Sequence, residues 1–86
     1  MDDTITIERI ERYFSLTADA RAKATPATRN PEDEVRLRIM MGMCDDYVAD
    51  ARHFMEAGDF VSAFGAINYA HAWLDAAVRI LSLIHI

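Results

Sequence analysis

The chain has 86 residues, of which 52% are hydrophobic and 27% charged, and its formal net charge is −5. That length suits one small domain, and that apolar fraction excludes a disordered chain. The acidic balance disfavours nucleic-acid binding, because the basic residues are interleaved with acids rather than gathered in a patch. Cys44 is the single cysteine, which excludes an internal disulfide and a thiolate metal centre.

No stretch has the long run of apolar residues that a membrane span needs. The N-terminal segment Met1-Asp2-Asp3 carries two acidic residues where a secretory signal would be basic. We therefore expect a cytoplasmic protein that does not bind membranes. The sequence also indicates no cofactor and no metal.

The first predicted helix covers about residues 4–24. Asp3 or Thr4 can accept a hydrogen bond from the free amides of its first turn. Its apolar face is formed by Ile7, Ile10, Phe14 and Thr17 or Ala18. The pattern fades in the segment KATPATRNP, where Pro26 disfavours helical geometry at the preceding residue, so a connection is expected there.

The second predicted helix covers residues 31–57. Asn30 is suited to cap it, and Pro31 is followed by acids that complement the positive end of the helix dipole. Its expected core residues are Leu37, Met40 or Met41, Cys44, Tyr47 or Val48, Ala51, and Phe54 or Met55. Gly58 can end this helix and Asp59 can cap the next, so the turn is short and predicts an antiparallel hairpin.

The third predicted helix covers about residues 59–83. Its polar side chains fall in one narrow stripe made of Asn68, His71, Asp75, Arg79 and Ser82. The rest is apolar over roughly two thirds of the circumference, more than the stripe of an ordinary surface helix. We expect an all-α fold, an up-down-up three-helix bundle with short connections in which the third helix is central and is not fully covered by its two neighbours.

One candidate site is apolar and is formed by Met40, Met43, Trp73 and Ile80. The methionines either fill a small core or form an adaptable docking surface, and Gly42 among them indicates a close approach. Trp73 is either a core anchor or an interface residue. On these residues we expect a non-enzymatic module that binds a protein partner or a second copy of itself as a homodimer.

The alternative site is the polar stripe, with Tyr69, His71, Asp75 and Arg79 as its candidate functional residues. Asp75 lies one turn from His71 and can orient its imidazole, as in a general base, or both can belong to a self-satisfied polar edge. No catalytic residue is assigned, because catalysis also needs a nucleophile or second carboxylate from another helix. This pattern leaves open a small ligand-binding protein or an enzyme subunit.

The segment AGDFVSAFGAINYAHAWLDAAVRI resembles the C-terminal signature of a small archaeal family, domain of unknown function 357. The matching residues are Tyr69, Ala70, His71, Trp73, Leu74, Asp75 and Arg79. The resemblance implies a compact helical bundle and supplies no activity. It also raises the expectation that Tyr69, His71, Trp73 and Asp75 have a role beyond packing.

Overall fold

The computed structural model describes residues 6–24 and 31–81, with side chains up to Ile80. It contains three helices, α1 (Ile7–Lys23), α2 (Pro31–Glu56) and α3 (Phe60–Leu81). The helices pack on one another in the up-down-up order, and this confirms the all-α three-helix bundle that the sequence predicts.

Helix α1 begins later than the sequence predicts. Thr6 is its cap, with an extended backbone and a hydroxyl that accepts from the amide of Arg9 at 3.1 Å. The predicted caps Asp3 and Thr4 lie outside the described residues. Either threonine has the side chain that a cap requires, so the local sequence did not single out Thr6.

The turn between α2 and α3 follows the local signals in the sequence. Gly58 has a φ of 78°, and its amide donates to the carbonyl of Met55 at 3.1 Å. The amide of Asp59 donates to the carbonyl of Phe54 at 2.9 Å, which completes a Schellman motif. The Asp59 carboxylate then accepts from the amide of Ser62 at 3.1 Å, so the predicted cap and the antiparallel hairpin are confirmed.

Helix α3 is central to the core, as predicted. It packs along α2 and, over a shorter length, along α1, whereas α1 and α2 contact each other mainly through side chains such as Arg21 and Asp45. The buried residues are Ile10 and Thr17 on α1, Met41, Cys44 and Ala51 on α2, and Ala63, Ala66, Ile67, Ala70, Leu74 and Ala77 on α3. The buried side of α3 is mostly alanine, so small side chains form most of its contact with the neighbouring helices.

Helix α1 is much shorter than α2, so it lies along only part of the length of α2. Helix α1 has 17 residues and α2 has 26, so at about 1.5 Å per residue α2 is longer by more than 10 Å. Arg21 near the end of α1 pairs with Asp45, the fifteenth residue of α2. Beyond that pair α1 continues only to Lys23 and its cap Ala24, which still packs against the core, so the N-terminal part of α2 extends past the end of α1.

Candidate functional site

The hairpin of α2 and α3 has one side that faces α1. Tyr13 on α1 meets Phe64 on α3 edge to face, with ring centroids 5.2 Å apart. Further along, Thr17 Oγ1 and His71 Nδ1 lie 3.3 Å apart, within hydrogen-bond distance. These contacts fix the direction of α3 relative to α1, because Phe64 and His71 are two turns apart on the same side of the helix.

His71 has a different partner from the one that its sequence neighbours suggest. It is half-buried and bonds to the buried hydroxyl of Thr17, whereas Asp75 is exposed and makes no hydrogen bond to it. The imidazole turns towards α1 because a buried hydroxyl needs a partner, while an exposed carboxylate is satisfied by water. Within the described residues, Asp75 and Arg79 also form no ion pair with each other.

Tyr69 lies on the other flank of α3, away from His71. Its ring stacks on that of Tyr47 on α2, with centroids 5.4 Å apart, and 62% of the residue is exposed. Tyr69 and His71 therefore contact different helices and do not line a common pocket. The four residues that the sequence groups as one site therefore separate. Tyr69 lies at the contact between α2 and α3, whereas His71, Asp75 and Arg79 form a polar edge beside α1.

The side of the hairpin opposite α1 we call the open face. Residues at helical spacing from the stacked tyrosines belong to it: Arg36, Ile39, Met43, Tyr47 and Asp50 on α2, and Gly65, Tyr69, Ala72, Trp73, Ala76 and Ile80 on α3. Ile39 is 61% exposed and Ile80 is 68% exposed. Both are large aliphatic side chains that the described chain leaves in water.

The predicted apolar residues divide between the core and this face. Met41 is buried, Met40 and Met43 are half-buried, and Met40 and Trp73 pack against the core from its edge. The methionines thus fill the core and also reach its outer surface. Ile80 is the most exposed of the four predicted interface residues, and the other three are half-buried, so each of the four has some surface open to solvent.

The close approach expected at Gly42 is not seen among the described residues. A Cβ built on Gly42 meets no atom within 4 Å, and the same holds for Gly65 on the open face. Nothing in the local sequence around Gly65 distinguishes it from an ordinary helical residue. A glycine in the middle of a helix costs about 1 kcal/mol relative to alanine, and internal packing does not explain this one.

A second surface feature is the seam between α1 and α2. The guanidinium of Arg21 donates to both carboxylate oxygens of Asp45, at 3.1 and 3.2 Å, and this pairing raises the pKa of Arg21. On one side of the pair lies a 270 Å³ hollow floored by Phe14, Thr17 and Val48. Among the described residues, no buried side-chain nitrogen or oxygen lacks a hydrogen-bond partner, so no buried unpaired polar group marks this hollow as a ligand site.

Cys44 is fully buried, as the sequence predicts. Burial is the main cause that raises the pKa of its thiol, and the nearby Asp45 carboxylate raises it further. The thiolate is therefore disfavoured at neutral pH, which is the opposite of an activated nucleophile. Among residues 6–24 and 31–81, no group of three His, Cys, Asp or Glu side chains is placed to hold a metal ion.

None of the described helices is long and apolar enough to cross a membrane. The described residues thus define a small all-α bundle in which they leave one apolar face exposed. The chain belongs to the family described as Protein of unknown function (DUF357), whose family model matches residues 12–83. Neither curated proteins nor solved structures yield a match to this chain.

Proposed function

We propose that this protein is a non-enzymatic association module and that the open face of the α2–α3 hairpin is its contact surface. The observation that carries the proposal is the exposure of large apolar side chains beside half-buried Met43 and Trp73. Ile39, Tyr69 and Ile80 are each more than 60% exposed, although α3 is the central helix of the fold. Exposed apolar clusters of this kind mark interaction sites in soluble proteins.

The composition of the face also suits association. Tyrosine, tryptophan and methionine are enriched at protein interfaces, and the side chains of Tyr47, Tyr69 and Trp73 are already held by their neighbours on the hairpin. Side chains that are ordered before binding lose less conformational entropy when a partner arrives. An amphipathic helix, or a second hairpin, fits such a surface.

The ligand-binding alternative gains less support from the geometry. Tyr69 and His71 contact different helices, and Asp75 stands in solvent without orienting the imidazole. A catalytic or binding site needs its groups to converge on one position about 3 Å from each. The described polar stripe has no such point of convergence.

Sedimentation equilibrium over a wide concentration range tests the proposal. We expect the wild-type chain to associate, and Ile80→Lys to weaken that association because it places a charge in the contact. Leu16→Lys is the matched control, since Leu16 is a 51% exposed aliphatic residue on α1. A lysine also suits the last turn of α3, so the substitution should not disturb the helix.

A partner other than a second copy requires a second measurement. Binding of an apolar fluorescent dye by the wild-type monomer, reduced by Ile80→Lys and not by Leu16→Lys, would support an open face available to another protein. A chain that stays monomeric at millimolar concentration and binds no dye would contradict the proposed function.

A further inference from the structure

The open face of the hairpin carries a pattern of large and small side chains along α3. In chain order its residues are Gly65, Tyr69, Ala72, Trp73, Ala76 and Ile80. Their spacings of mostly four and three residues follow the heptad pattern of helices that pack along their length. The midpoint of the set lies between Ala72 and Trp73. Each large residue has a small one at the same distance on the other side of that midpoint: Tyr69 with Ala76, Trp73 with Ala72, and Ile80 with Gly65.

We infer that the open face binds a second copy of this chain, with α3 packed antiparallel on its counterpart about a two-fold axis near Ala72. This rests on the proposed function and names its partner. An antiparallel pair about such an axis brings together residues equally far from the midpoint, so Tyr69 meets Ala76 and Ile80 meets Gly65. Each large side chain then lies over a small one, as a self-complementary interface requires.

Gly65 provides independent support for this arrangement. The glycine lies within a 22-residue helix, and a Cβ there meets no atom of the described chain within 4 Å. Internal packing therefore does not require a glycine. In the antiparallel pair, Gly65 receives Ile80 of the second copy, and a side chain at this position would occupy the same space.

The same axis also pairs the side chains of α2. The stacked rings of Tyr47 and Tyr69 set the register of the hairpin, and in that register Trp73 lies beside Met43. Two copies of α2 then face each other about Met43. This places Ile39, which is 61% exposed, opposite Tyr47 of the second copy.

Charge complementarity follows from the same register. Arg36 and Asp50 lie one heptad before and one heptad after Met43. Within its own helix the Arg36 guanidinium already pairs with Asp33 at 3.1 Å, and the symmetric contact brings Asp50 of the second copy to it as a further carboxylate. Arg36 and Asp50 are both exposed at the edge of the open face. Asp75 and Arg79 remain on the outer edge of α3, and the symmetric contact buries neither charge.

The available area is enough for a weak and specific dimer. The matched stretch of α3 from Gly65 to Ile80 is about 23 Å long at 1.5 Å per residue, and two packed helices are roughly 20 Å wide. The footprint is therefore on the order of 500 Å² on each copy, and the total is close to the roughly 1,000 Å² that a specific interface needs.

Site-specific cross-linking of the full chain tests the axis. Ala72→Cys places a thiol beside the axis in both copies, where a short bismaleimide can join them. Ala49→Cys is the matched control, because Ala49 is an exposed alanine on α2 that lies away from the open face. Wild-type protein reports the background, since its only cysteine, Cys44, is fully buried.

We expect Ala72→Cys to form covalent dimers roughly tenfold faster than Ala49→Cys, because the two-fold contact raises the local thiol concentration. We also expect Gly65→Leu to weaken dimerisation roughly tenfold or more by overpacking the contact. Gly42→Leu should leave dimerisation unchanged, since Gly42 is an equally unhindered helical glycine away from the open face.

The outcomes separate this inference from the proposed function. A dimer that Ala72→Cys does not trap faster than Ala49→Cys, and that tolerates Gly65→Leu, would overturn the two-fold arrangement and leave an association module with another contact geometry. A monomer that binds apolar dye would overturn the second copy as partner and leave the open face to a different protein. A monomer that binds no dye would overturn both.

Discussion

Both sides of the α2–α3 hairpin carry apolar residues, but one side is buried and the other is exposed to solvent. On the side that α1 covers, Ile67 of the hairpin is fully buried, and Thr17 of α1 is nearly so. On the open face, Ile80 and Tyr69 are more than 60% exposed. The short helix α1 covers only one side of the hairpin. The open face therefore retains exposed apolar surface, which is the basis of the proposed association.

The largest expected difference between the two sides is the loss in free energy of unfolding when an isoleucine is replaced by alanine. Ile67→Ala removes a fully buried side chain and should lower the free energy of unfolding by about 2–5 kcal/mol. Ile80→Ala should change it by less than about 0.5 kcal/mol in protein dilute enough to be monomeric. Urea denaturation of both variants measures the contrast, and equal losses would mean that the open face is part of the core.

A smaller effect is expected at the polar contact that joins α1 to α3. Thr17→Val keeps the shape of a buried side chain and removes the hydroxyl that bonds His71. We expect a loss of about 1 kcal/mol in the free energy of unfolding. Ser15→Ala on the exposed side of α1 is a suitable control, and no loss for Thr17→Val beyond this control would show that the bond does not hold α1 in place.

Gly42 and Gly65, the two helical glycines with free space around a Cβ, give another comparison between the open face and the rest of the surface. Gly42→Ala and Gly65→Ala should each raise the free energy of unfolding of the monomer by about 0.5–1 kcal/mol, since alanine favours the helix and its Cβ meets no atom of the described chain. Only Gly65→Ala should also weaken association. Thermal denaturation together with sedimentation separates the two effects, and a destabilised Gly65→Ala monomer would reveal an internal contact.

The smallest effect concerns the cap that fixes the start of α3. The bonds from the side chain and backbone of Ser62 lower the pKa of Asp59. The charged cap therefore stabilises the fold above the unfolded pKa of about 3.9, and this contribution is lost as the pH falls through the lower folded value.

Asp59→Asn keeps an acceptor at the cap and removes the titration. We expect its melting temperature to fall less steeply below about pH 4 than that of the wild type, in the range where the Asp59 carboxylate titrates. Circular dichroism melts across this pH range measure the slope. Identical slopes would mean that the cap contributes no charge-dependent stability.

Local signals in the sequence predicted much of the fold. Gly58 and Asp59 marked the hairpin turn because a left-handed glycine and a carboxylate cap act within a few residues. The central position of α3 followed from its wide apolar arc. The start of α1 was predicted too early, since neighbouring threonines are equally able to cap a helix.

The candidate site was less predictable, because its contacts join residues distant in sequence. His71 bonds Thr17, which is 54 residues away, and not the Asp75 that lies one turn along the same helix. The sequence pattern groups Tyr69 with His71, but the two contact different helices from opposite flanks of α3. The residues around Gly65 in the sequence do not indicate why a glycine is there, and only the structure shows that a Cβ at this position would meet no atom of the described chain.

Chemical shifts followed through a concentration series by two-dimensional amide NMR test the central contrast most directly. We expect the amides of Gly65, Ala72 and Ile80 to shift as the protein concentration rises, while those of Ile10 and Thr17 stay constant. Shifts spread evenly over both sides of the hairpin, or confined to α1, would contradict an association surface on the open face.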